Sequence, residues 1–130
     1  SAQLSGVSST NLATANKTGQ VTYSFVDVNN DLPATLDVPS IYPNRSRPIT
    51  ITEVYCEINA GSASINLQRD DGTPANILSA DLACSTAGAI STSFTSGEDA
   101  IAVGQNIDHV TVSAGASLRR LNVAIKYTVN

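Results

Sequence analysis

The sequence contains no Trp and no Met, a single His and only two Cys. One imidazole cannot build a His-rich metal centre, and without Met the His/Met ligation of a haem is excluded. Two thiolates and one imidazole also fall short of the four ligands of structural zinc. No metal and no cofactor is therefore expected. Charged residues make up 14% of the 130 residues, against roughly 25% in an average soluble protein. The net charge is -4, which argues against sequence-independent binding of phosphate backbones and leaves nucleic acid out as a partner. No apolar run approaches the roughly 18 residues that a membrane span needs. The opening Ser1-Ala2-Gln3 lacks the basic and apolar regions of a signal peptide.

Small polar residues fill the gap, with 16 Ser and 13 Thr. The length fits one domain that buries roughly two-thirds of its surface. Residues 1–18 (SAQLSGVSSTNLATANKT) sustain neither period 2 nor period 3.6. They are expected to form an extended N-terminal arm, ordered only when something binds it; it is either a loosely attached terminus or an arm that docks on a neighbouring subunit. A single domain at 19–130 should follow. Val21, Tyr23 and Phe25 alternate with polar residues, as a half-buried strand does. Pro33, Pro39, Pro43 and Pro48 exclude a helix from the next stretch and leave room for a short edge strand at Leu36–Val38. Between Arg47 and Asn59 the alternation slips: Ile49 and Ile51 share one parity, and Val54, Cys56 and Ile58 share the other. That slip predicts a bulge near Thr52-Glu53. Ser64–Arg69 reads as a strand, Ile77–Cys84 suits either a strand or one helical turn, and Ser91–Thr95 gives a brief strand around Phe94. Ile107–Ser113 puts His109 and Thr111 on one face with Ile107, and Asp108 and Val110 on the other. Residues 114–117 should close a hairpin into the most regular strand, whose Leu121, Val123, Ile125, Tyr127 and Val129 share one face. Many short strands with frequent turns predict an all-β, antiparallel β-sandwich. The absence of Trp removes the immunoglobulin hallmark and favours the jelly-roll type.

Few residues could carry chemistry. His109 is the sole general base available near neutrality, but no nucleophile elbow accompanies it, and its strand setting suits a structural role. No catalytic residue is expected. Cys56 and Cys84 could be a disulfide, contributing about 3–4 kcal/mol, or two buried thiols. Asp27-Val28-Asn29-Asn30-Asp31 resembles the start of a calcium loop but lacks its Gly and its closing Glu, so a turn built on Asx side chains is the simpler reading. Asp70-Asp71 and Glu98-Asp99 read as solvated corners. Asn16-Lys17-Thr18 and Asn44-Arg45-Ser46 match N-glycosylation acceptors. Tyr42 and Tyr55 are the aromatics free to offer a sugar platform. Arg45 and Arg47, with Arg119 and Arg120, could form a patch for an acidic partner. Tyr42, Tyr55, Arg45 and Arg47 are therefore the candidate ligand or partner contacts.

Residues 47–130 also carry a resemblance. The opening I-T-x-V strand is Ile51, Thr52 and Val54, and a short strand ends near Gln68-Arg69. A Thr-rich strand precedes an acidic turn and the I-x-V-G-x-x-I step of Ile101, Val103, Gly104 and Ile107. In these features the chain resembles the small jelly-roll domains that end phage tail-fibre and other virion-surface proteins. Gln105 stands where that family usually has Asp or Glu. The resemblance implies a non-enzymatic virion structural protein (capsid decoration, head fibre or tail-fibre tip), exposed on the virion surface. It also implies a homotrimer that binds a host glycan or receptor, and it transfers no binding residue. Contact with other virion or capsid proteins would run through residues 1–18. The length suits a complete structural protein whose initiator Met has been removed. The alternatives are a carbohydrate-binding module and a subunit of a non-viral extracellular filament.

Overall fold

A computed structural model describes residues 17–130 as ten strands and no helix. They are β1 (Thr18–Val26), β2 (Leu36–Pro43), β3 (Ile49–Ile58), β4 (Ala63–Asp70), β5 (Ala75–Asn76), β6 (Leu82–Cys84), β7 (Ala89–Ser91), β8 (Ala100–Ile101), β9 (Asn106–Ala114) and β10 (Arg120–Val129). In the first sheet β1, β10 and β3 lie side by side, and β7 and β8 both pair with β3. In the second, β2, β9 and β4 lie side by side, and β5 and β6 both pair with β4. All these pairings are antiparallel. Taking β5/β6 and β7/β8 as two interrupted strands, each sheet is four strands wide. The chain then crosses between sheets in the jelly-roll order.

Alternation builds the core. β10 turns Leu121, Val123 and Ile125 inward, and β3 turns in Ile49, Ile51, Val54, Cys56 and Ile58; Ile65, Leu67 and Ile107 face them from the second sheet. β3 can bury residues of both parities because it is bulged: Lys126 pairs with Glu53 and Tyr127 with Ile51, leaving Thr52 without a partner. That is where the sequence pattern slips. Cys56 on β3 and Cys84 on β6 form a disulfide, with a Cα–Cα distance of 5.2 Å, that ties the two sheets together.

Several expectations need correction. Residues 114–117 do not close a hairpin, because β9 belongs to the second sheet and β10 to the first. The turn instead crosses the sandwich, where Gly115 N donates to Ser62 O in the crossing between β3 and β4. Residues 77–84 contain no helical turn; Leu78 bridges to Phe94, and β6 follows. The edge strand expected at Leu36–Val38 runs on to Pro43 through a bulge. β1 begins at Thr18, one residue before the expected domain start. Residues 1–16 of the expected arm lie outside the described residues.

Candidate functional site

His109, the only imidazole, is completely buried. β9 turns it into the core, where its Nδ1 is hydrogen-bonded to the Tyr23 hydroxyl at 2.7 Å and its Nε2 to Thr111 Oγ1 at 2.8 Å. The rings of Tyr23 and Phe25 pack around it, with centroids at 5.3 and 4.8 Å. A neutral imidazole donates from one nitrogen and accepts at the other, and both hydroxyls can take either part. Burial holds its pKa down at about 4, so the ring stays neutral at physiological pH. It is a satisfied core group closed to solvent.

The four residues singled out as ligand contacts do not form one site. Tyr55 lies on the outer face of the first sheet, in a shallow depression of about 310 Å³ beside Thr22, Ser24, Asn122 and Ala124. Its hydroxyl donates to Glu57 Oε2 at 2.8 Å, and that bond raises the phenol's pKa. Glu57 in turn lies 4.0 Å from Arg120. Tyr55, Arg120 and Asn122 are thus all drawn to the one carboxylate of Glu57.

Tyr42 and Arg47 do come together. With Ser46, Ile49, Tyr127 and Val129 they line a cleft of about 190 Å³ at one end of the sandwich. β2 supplies Tyr42, the 44–48 loop supplies Ser46 and Arg47, and β3 and β10 supply the rest. The rings of Tyr42 and Tyr127 are 6.2 Å apart and tilted by 36°. Burial first, and the neighbouring Tyr127 phenol second, raise the pKa of Tyr42. Tyr127 reaches the cleft because Gly19, opposite it on β1, has no side chain: a Cβ there would strike the Tyr127 ring.

Asn44 fixes the arginine loop. This buried side chain donates from Nδ2 to Arg47 O and Ile101 O at 2.9 and 3.1 Å, with Ala102 O at 3.3 Å, and its Oδ1 accepts Ser46 N–H. The same bonds occupy the amide of the possible acceptor Asn44-Arg45-Ser46. The other one, Asn16-Lys17-Thr18, has its Asn outside the described residues. Arg45 and Arg47 are exposed and have no acidic partner among the described residues.

Tyr127 and Asn44 escape sequence reasoning. Tyr127 has core parity, and only a glycine inside a strand hints that something crosses it. Asn44 looks like ordinary loop chemistry.

Asp27 Oδ1 accepts the N–H groups of Asn29 and Asn30, an Asx turn. Asp70 and Asp71 do the same for Gly72 and Thr73. Glu98 is not a solvated corner but pairs with Arg69 at 2.8 Å. Asp108 departs furthest from its expected outward position, since it is buried and its Oδ1 accepts Ser40 N–H at 2.7 Å. Burial first, then hydrogen bonding to Asp70 and the charges of Asp70 and Asp37, raise its pKa, against the Ser40 bond that lowers it. Among the described residues no group of three or more His, Cys, Asp or Glu is placed to hold a metal ion. No helix there is long and apolar enough to cross a membrane. Compared with protein-family models, curated proteins and solved structures, the chain has no match in any of the three.

Proposed function

We propose that this chain is a non-enzymatic structural module of a virion surface, assembling with copies of itself as a homotrimer and recognising a host receptor. The observation that carries this reading is the free edge of β1. Thr18–Val26 pairs residue by residue with β10 over nine positions, and no described strand covers its other side. The strand contains no proline, no charge and no bulge, the devices with which sheet edges are normally blunted. By contrast, β2 at the edge of the second sheet carries Pro39, Pro43 and a bulge. An unblunted edge suits a protein whose edge is covered by a neighbouring copy. Residues 1–16 precede β1 in the sequence, and in this reading they contact that neighbour or another virion protein. The jelly-roll order supports the setting, since capsid and lectin domains are built this way. The resemblance of residues 47–130 to virion-surface domains adds to it. The inter-sheet disulfide fits exposure to an oxidising exterior.

Light scattering on the full chain should give three times the mass of one chain, and a chain starting at Lys17 should keep the sandwich's circular dichroism. On purified particles the full chain should be present and the shortened one absent. A monomer with equal occupancy of both forms would refute the reading. A carbohydrate-binding module is the second reading, favoured by the two tyrosines that share a cleft with Arg47.

A further inference from the structure

We infer that the Tyr42–Arg47–Tyr127 cleft binds a carboxylated sugar, one acidic pyranose of a larger glycan. The inference rests on the receptor-recognition part of the proposed function and not on the assembly part.

Charge bookkeeping points to the ligand's sign. The chain has 11 acidic and 7 basic residues, so carboxylates are in excess, yet two of its five arginines lack one. Arg69 pairs with Asp71 and Glu98, Arg119 with Asp31, Arg120 with Glu57, and Lys126 with Glu53. Arg45 and Arg47 have none, although every Asp and Glu of the chain falls within the described residues. A guanidinium offers a planar fork of donors matched to a carboxylate. The Arg47 backbone is held in place by Asn44, so less ordering is left to be done on binding.

The remaining surface points to a sugar. Tyr42 and Tyr127 present aromatic rings for the C–H face of a pyranose. The raised pKa of Tyr42 keeps its hydroxyl protonated and able to donate or accept. Ser46 adds an aliphatic hydroxyl to those of the two tyrosines. The cleft, at about 190 Å³, is smaller than the roughly 300–1,000 Å³ of sites for drug-sized ligands. It therefore suits one ring, with the rest of the glycan outside. The Tyr55 depression is the poorer choice for an anion, because Glu57 sits at its tyrosine and Arg120 is drawn to that carboxylate.

The test is a titration of the full chain, followed by amide ¹H–¹⁵N spectra, with methyl β-glucuronide, methyl β-glucoside and N-acetylaspartate. The glucuronide should shift Tyr42, Ser46, Arg47 and Tyr127 with a Kd on the order of 1 mM, and more weakly as salt is raised. The glucoside and the ringless carboxylate should bind at least about tenfold more weakly. Arg47→Gln should lose about tenfold for the glucuronide, a loss expected of a charge-assisted hydrogen bond; Arg119→Gln should lose nothing. Equal binding of glucuronide and glucoside, or of glucuronide and N-acetylaspartate, would overturn the inference. So would shifts centred on Tyr55, or no saturable shift at all. The wild-type comparison decides the matter even if Arg47→Gln fails to fold. A trimer that ignores the glucuronide would overturn this inference alone, whereas a monomer that binds it would overturn only the assembly.

Discussion

Two buried titratable residues stand side by side on β9 and pull the acid response of this protein in opposite directions. His109 has its pKa held near 4 by burial, against about 6.5 in an unfolded chain. Between those values the unfolded state binds the extra proton, so stability falls as pH is lowered through that window. The full difference amounts to about 3 kcal/mol, reached below pH 4. An NMR titration should find the imidazole neutral down to about pH 5 while the sandwich persists. A midpoint near that of a free histidine would mean that the Tyr23–His109–Thr111 row is open to water. Asp108 has its pKa raised, by burial first. Here the folded state holds the proton longer, so this contribution falls as pH rises through the raised pKa. Asp108→Asn keeps an oxygen for Ser40 N–H and gains a donor toward Asp70. It should raise unfolding free energy at pH 7 by about 1 kcal/mol in urea denaturation. A loss instead would show that the carboxylate's charge is needed to hold Ser40, whose φ of 55° is left-handed.

Between elements, the strongest single tie is the Cys56–Cys84 disulfide from β3 to β6. The two cysteines are 28 residues apart, so removing the bridge should cost about 3–4 kcal/mol. The midpoint of denaturant unfolding with and without reductant, and in Cys56→Ala/Cys84→Ala, reads this directly. An unchanged midpoint would mean that β6 is held by its ladder with β4 alone. Element-scale features differ in how far the sequence discloses them. The bulge at Thr52 is legible because a slip in parity leaves a trace in hydrophobic order, residue by residue. The sheet crossing after β9 is not, since Gly115-Ala116-Ser117 reads the same whether the next strand pairs back or passes to the other sheet. What decides the matter is non-local: Asn59 Oδ1 accepts the N–H groups of Arg119 and Arg120, and Asn59 Nδ2 donates to Ser117 O. The cleft divides the same way. Tyr42 and Arg47 stand out in sequence as an aromatic and a charge among prolines. Tyr127 is hidden, because an inward tyrosine near a strand's end has the same periodicity as a core residue. Only Gly19, more than 100 positions earlier, explains where its ring goes.

For the whole molecule, alternation and turn chemistry disclose a sandwich, but which surfaces meet other molecules depends on what the assembled sheets leave uncovered. The first sheet ends in β1, nine residues of ladder with no blunting device on its outer side among the described residues. A monomer with such an edge invites strand addition. If neighbouring copies use it, a like charge repeated on each copy should block approach without disturbing the core. Thr22 and Ser24 are exposed positions of β1 that face away from the core. Thr22→Lys together with Ser24→Lys places two cations at each edge, and three copies would bring them together. The pair should convert the proposed trimer to monomers in light scattering at physiological salt, with partial recovery at high salt as the repulsion is screened. Stability of the isolated chain should stay within about 0.5 kcal/mol per substitution, because neither side chain fills the core. A trimer that survives both lysines at low salt would remove β1 from the interface and leave the second sheet's edge, or residues 1–16 acting alone, to hold the copies together.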